Sequence, residues 1–152
     1  MDDMDGEEPD LKLAGLSLWV LARQYPDSAD YWDGNWLDVV ARVEASGAFV
    51  ETRGSFLRND ELAAFVVQLE RVQRDLTGDA ELACMEPNLH VKVRCVSMGR
   101  IEMVISITPD HRAQSHAFTF EIDQSYLTST LRECRRILAR LPVVGSITAK
   151  SS

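Results

Sequence analysis

Asp27-Ser28-Ala29-Asp30-Tyr31-Trp32-Asp33-Gly34-Asn35-Trp36-Leu37-Asp38 packs four aspartates, two tryptophans and a tyrosine into twelve residues. Asp and Asn bond to their own backbone and glycine takes positive φ, so such a composition suits a turn-rich loop. Tryptophan and tyrosine instead favour burial with their polar tips bonded. The stretch therefore reads as an irregular loop pinned to the body by Tyr31, Trp32 and Trp36, with the carboxylates of Asp30, Asp33 and Asp38 facing water.

Working outward, both flanks alternate apolar and polar residues, the period of a half-buried strand. Upstream, Leu11-Lys12-Leu13 and Leu16 to Arg23 read as strands with Gly15 at their turn, and Tyr25-Pro26 ends the second one. Downstream, Trp36 to Glu44 and Ala48 to Arg53 form an antiparallel hairpin about Ala45-Ser46-Gly47. Leu62, Phe65, Val66, Leu69, Val72 and Leu76 then recur at helical spacing, with Asn59 as the expected N-cap, Asp60 and Glu61 in the first turn, and Gly78 as the stop. The polar face of that helix, Gln68, Glu70, Arg71, Gln73 and Arg74, reads as solvated.

A second series follows the short run Glu81 to Met85. Leu89 to Cys95 and Ile101 to Thr108 form strands about the Ser97-Met98-Gly99-Arg100 turn, His116 to Ile122 a last strand, and Leu127, Leu131, Cys134, Leu138 and Leu141 a helix stripe that Pro142 ends. Runs of strands separated by single helices imply α+β. The expected architecture is one curved, mostly antiparallel sheet of six to seven strands with two helices packed on it, in two similar β-β-β-α halves. Residues 1–10 read as a disordered acidic tail, 11–142 as a single domain, and 143–152 as a loose C-terminal tail.

The net charge of −8 is unevenly placed. Six acids and no base lie in residues 1–10, residues 11–90 hold 13 acids against 7 bases, and residues 91–152 hold 5 against 9. This balance argues against nucleic-acid binding, which favours a basic domain, and allows an acidic face to meet a basic partner. The acidic start resembles no secretory leader, and no apolar run approaches the roughly 18 residues of a membrane helix. A cytoplasmic location without membrane contact is expected, with Cys84, Cys95 and Cys134 as buried reduced thiols because they show no metal or redox spacing.

Catalytic chemistry finds little support. With Gly34 as the glycine of a calcium loop, Ala29, Tyr31 and Asp33 would fall where oxygen ligands are needed, so the match fails. His90, His111 and His116 show no two-ligand spacing, no serine sits in a G-x-S-x-G turn, and no glycine-rich phosphate loop precedes a helix. No catalytic residue, metal or cofactor is expected. The alternatives kept open are a small metal-dependent hydrolase that gathers Asp30, Asp33, Asp38 and Glu86, and an interaction domain of another kind.

Asp30-Tyr31-Trp32-Asp33-Gly34-Asn35-Trp36-Leu37 resembles the signature of the WapI-type immunity proteins, bacterial proteins encoded beside polymorphic toxins whose toxic domain they neutralise. Met85-Glu86-Pro87-Asn88-Leu89 resembles that family's second signature, and Tyr25-Pro26-Asp27 suits the approach to the first. The likeness extends over most of residues 11–142. It implies binding to a cognate toxin domain, often a nuclease, without chemistry. On that resemblance Asp30, Tyr31, Trp32, Asp33, Asp38 and Glu86 are the expected partner-binding residues, while Asn35, Trp36, Pro87 and Asn88 hold the motifs in shape.

Overall fold

The computed structural model describes Met4 and residues 6–146. Its strands are β1 (Leu11–Leu13), β2 (Leu16–Arg23), β3 (Trp36–Ala45), β4 (Ala48–Arg58), β5 (Gly78–Ala83), β6 (Leu89–Ser97), β7 (Arg100–Ile107) and β8 (Ala117–Asp123). Its helices are α1 (Tyr31–Gly34), α2 (Asn59–Asp75) and α3 (Tyr126–Arg140). The α+β class and antiparallel pairing agree with the alternation in the sequence. The strands form two four-stranded sheets, β1-β2-β3-β4 and β5-β6-β7-β8, rather than one sheet of six to seven strands. Each half holds four strands and ends in a long helix, so the expected β-β-β-α repeat is β-β-β-β-α, with β1 to β4 all read from the sequence and β5 not.

The strand that sequence patterning misses is β5. Gly-Asp-Ala-Glu-Leu-Ala has little β-propensity, yet it pairs with β6 from Gly78↔Cys95 to Ala83↔His90 and buries Ala80 and Leu82. Gly78 therefore opens a strand, and α2 is stopped earlier, by Leu76 in the left-handed conformation (φ 55°). At its other end the N-cap position is Arg58, which makes no side-chain cap bond and whose amide donates to Glu61; Asn59 is the helix's first residue and is buried. The polar face of α2 is solvated at Arg71 and Arg74, as expected, while Gln73 Nε2 donates to Thr128 Oγ1 of α3 (3.0 Å) and Glu70 pairs with Arg135 of α3.

The inward rows of both sheets and the stripes of α2 and α3 meet in one core that includes Leu16, Leu18, Val39, Phe65, Leu69, Val91, Met103, Ile105, Leu131 and Cys134. Cys134 is fully buried, which raises its thiol pKa to about 12, whereas Cys84 and Cys95 are half-buried. Outside this core, Trp19 and Val40 lie on the outer face of the first sheet and Met4 packs on them. The Trp19 indole N–H donates to the Glu7 carbonyl (3.2 Å), and the Asp10 carboxylate accepts the Val20 amide (2.7 Å). Met4 and residues 7–10 of the expected disordered tail are thus tied to the sheet, because folding back covers two apolar side chains; residues 1–3 and 5 lie outside the described residues. No helix among the described residues is long and apolar enough to cross a membrane.

The two halves touch closely where the β1–β2 turn meets β8. A Cβ on Gly15 would stand 2.4 Å from the Glu44 carbonyl oxygen and 2.6 Å from the Phe120 ring. Gly15→Ala should therefore destabilise the protein by about 1–3 kcal/mol through overpacking, read as a lowered urea midpoint; an unchanged midpoint would show that the β1–β2 turn is not held against Phe120.

Candidate functional site

The centre of the signature loop is a residue outside it. Arg58, the last residue of β4, is 1% exposed and extended (φ −113°, ψ 147°) before α2 begins. Its guanidinium donates to the Trp32 carbonyl (2.7 Å) and the Tyr31 carbonyl (2.9 Å), while Nε donates to Asp60 Oδ1 (2.9 Å). It lies over the rings of Trp36, Tyr31 and Trp32 at 5.0, 5.2 and 5.5 Å. A buried cation is tolerated only when its donors are matched and its charge is met; here carbonyls, a carboxylate and three π faces do so.

The loop is shaped to present those groups. Asp30 Oδ2 accepts the amides of Trp32 (3.0 Å) and Asp33 (3.1 Å), starting the single helical turn α1 within what sequence reads as an irregular loop. Tyr31 and Trp32 pack edge to face, centroids 5.1 Å apart. The Tyr31 hydroxyl donates to Asp60 Oδ2 (2.9 Å), and that carboxylate holds the phenol above its ordinary pKa. Gly34 admits no side chain, since a Cβ would sit 2.5 Å from the Ser28 carbonyl oxygen and 2.6 Å from a Val144 methyl.

A second layer fastens the C-terminal segment. Asn35, fully buried, donates through Nδ2 to the carbonyls of Tyr31 (2.9 Å) and Val144 (3.0 Å) and accepts the Val144 amide at Oδ1 (2.9 Å). Asn59 donates its amide to the Asn35 carbonyl (3.0 Å) and Nδ2 to the Leu141 and Pro142 carbonyls (2.6 and 3.0 Å). Arg23 bridges the Gly34 and Pro142 carbonyls. The start of the expected loose tail is therefore bound to the signature loop, and residues 147–152 lie outside the described residues.

Glu61 links the second motif to this knot. Its carboxylate accepts the Arg58 amide (2.9 Å) and the Met85 amide (2.8 Å), and burial raises its pKa despite both bonds. Asn88 pins the other end of that motif, donating Nδ2 to the Thr108 carbonyl (3.1 Å) and accepting the Thr108 amide on its own carbonyl (3.0 Å).

The residues expected at an interface thus fall into two groups. Asp30, Tyr31 and Trp32 are half-buried and serve the knot, as do Asn35 and Trp36; Asp38 lies apart on β3, bonded to the Ser55 hydroxyl. Asp33 and Glu86 are exposed, as are Met85 and Pro87, the latter expected to shape the second motif. Among the described residues no three His, Cys, Asp or Glu side chains are grouped to hold a metal ion, so the four carboxylates of the hydrolase alternative share no site. Sequence reading missed Arg58, Asp60, Glu61 and Arg23. The available signal was an arginine in register with inward Phe56 and Leu57, immediately before a helix whose first turn carries two acids.

Fold and site define an α+β domain whose most unusual residues build a buried knot rather than a cleft. The chain belongs to the immunity protein WapI-like family, whose model matches residues 10–142. No curated protein matches it. Among solved structures it is similar to the crystal structure of WHY1 from Arabidopsis thaliana, at 12% identity and a TM-score of 0.48, over 83% of this chain and 78% of that one.

Replacing Arg58 by Lys keeps the charge but loses the planar fork that reaches two carbonyls at once. Arg58→Lys should cost at least about 2 kcal/mol, from buried carbonyls left without donors, and weaken the near-ultraviolet dichroism of the tryptophans. Wild-type urea stability and an unaltered aromatic spectrum would contradict the assignment of Arg58 as the centre of the knot.

Proposed function

We propose that this protein is a bacterial immunity protein that neutralises the toxin domain encoded beside it, by direct binding in the cytoplasm and without catalysis. The observation that carries this reading is the family match across residues 10–142, nearly the whole described fold. The site agrees in kind. The polar and aromatic groups of the signature are turned to backbone carbonyls, amides and the Arg58 guanidinium, an arrangement that fixes a shape.

Of the signature residues, Asp33 and Glu86 present their carboxylates to water. They and the surplus of acids in residues 11–90 supply a negative field that draws in a basic toxin domain and raises its association rate. Tyr31, Trp32, Asp30 and Asp38 hold the surface on which those charges are displayed.

Coexpression should rescue cells from the neighbouring toxin, and the purified proteins should form a complex. The double variant Asp33→Asn, Glu86→Gln should fold normally and associate several-fold more slowly at low salt, with a flatter salt dependence. Absence of both rescue and complex would overturn the immunity reading, whereas a complex with wild-type rates in the double variant would leave the signature loops as scaffold alone.

A further inference from the structure

Each sheet has two edges, and three of the four carry a device that hinders further pairing. At the β1 edge the Lys12 amide donates to Glu133 Oε1 of α3 (2.9 Å), and at the β5 edge the Glu81 amide donates to Gln68 Oε1 of α2 (2.8 Å). Each helix thus caps the first strand of the sheet in the other half. The β4 edge is interrupted toward its C-terminal end by a bulge, with Ser55 and Phe56 both opposite Asp38, beyond the regular run Ala48–Gly54.

The β8 edge has none of these devices. Its register with β7 runs without a shift from Arg100↔Asp123 to Ser106↔Ala117, and Ala117–Asp123 contains no proline, glycine or lysine. The Gln124 amide donates to the Gly99 carbonyl and the Ile107 amide to the His116 carbonyl. Bonded and non-bonded pairs alternate along an antiparallel ladder. His116, Phe118, Phe120, Ile122 and Gln124 therefore turn their backbone groups to β7, while Ala117, Thr119, Glu121 and Asp123 turn theirs to the open side. These four residues are exposed, and among the described residues no hydrogen bond is made to their amides or carbonyls.

The chemistry beside this edge selects its occupant. Glu121 and Asp123 lie on the strand, and Glu102 on β7 stands directly opposite Glu121, a like-charge pair that costs stability in a sheet. Arg94 on β6 stands opposite Glu102, and Arg100, opposite Asp123 and 3.7 Å from Glu121, offsets part of the rest, while Ala117–Asp123 itself carries two acids and no base. A second copy of this chain would bring a second acidic row against the first. A strand bearing Lys or Arg would instead relieve it while receiving main-chain bonds.

We propose that the toxin domain docks on the β8 edge by adding an extended strand that carries Lys or Arg, making the second sheet five-stranded. This rests on the reading of the protein as toxin-binding. The affinity comes from backbone bonds to Ala117, Thr119, Glu121 and Asp123, and the selectivity from the carboxylates of Glu102, Glu121 and Asp123.

The test uses the full chain and the neighbouring toxin domain, purified in an inactivated form. If the wild-type protein does not bind it, the immunity reading and this inference fall together. If it binds, amide exchange measured by NMR should slow at least about tenfold at Ala117, Thr119, Glu121 and Asp123, with Phe118, Phe120 and Ile122, already bonded, little changed; a tight complex in which the four amides exchange at their free rates overturns the docking site alone. Thr119→Pro removes an outward donor and no native ladder bond, so it should fold normally and weaken binding at least about tenfold; Glu121→Lys should weaken it and reduce its salt dependence. Unchanged affinity in both folded variants overturns the proposal, as does a dimer of the protein alone in which the same four amides are protected.

Discussion

Everything distinctive in this fold depends on burying the guanidinium of Arg58. A cation 1% exposed at the end of a strand is a severe liability unless every donor is met. The chain meets it by bringing the carbonyls of Tyr31 and Trp32, the carboxylate of Asp60 and three aromatic faces to one point. Both carbonyls become available because α1 is only one turn long, its C-cap amide from Asn35 going to the Asp33 carbonyl instead. The aspartate that caps α1 is needed for the same reason, since it starts the turn where the guanidinium requires it.

From that point the constraint spreads through asparagines. Asn35 and Asn59 are fully buried amides bonded to backbone from three separate parts of the chain: the signature loop, the start of α2, and the segment after α3. Asn35 donates and accepts at once, which suits a junction where backbone groups of both kinds must be satisfied without a ladder, while Asn59 acts through its Nδ2 donor and leaves its buried Oδ1 without a hydrogen bond. Glu61 extends the junction to the second motif by accepting the amides of Arg58 and Met85. The stretches Asp30–Leu37 and Met85–Leu89, distant in sequence, are therefore coupled through the first turn of α2.

Much of this was legible in the sequence, for reasons that differ between elements. Leu89 to Cys95 and Ile101 to Ile107 alternate, and of their inward residues Leu89, Val91, Val93, Ile101, Met103, Ile105 and Ile107 are buried, with Cys95 half-buried beside the turn. The helix stripes were equally plain. β5 was not, because a strand made of Gly, Asp, Ala, Glu, Leu and Ala is stabilised by its neighbours β6 and α2 rather than by its own propensity. Nor does alternation say whether strands join one sheet or two: β4 passes straight into α2 at Asn59, so the chain leaves the first sheet before β5 begins. At the site, the signature loop stood out by composition, but its purpose lay in Arg58, a single arginine whose burial depends on contacts across 26 and 27 residues.

The central claim is that Arg58, Asn35 and Asn59 make the signature loop, the start of α2 and the C-terminal segment one cooperative unit. Native-state hydrogen exchange at the Val144 amide, bonded to Asn35 Oδ1, tests it most directly against the Asn59 amide, bonded to the Asn35 carbonyl. The account predicts that both open with the same free energy, at or near that of global unfolding. Exchange at Val144 through a local opening easier by more than about 2 kcal/mol, with Asn59 still fully protected, would show that the C-terminal segment is an appendage and would contradict it.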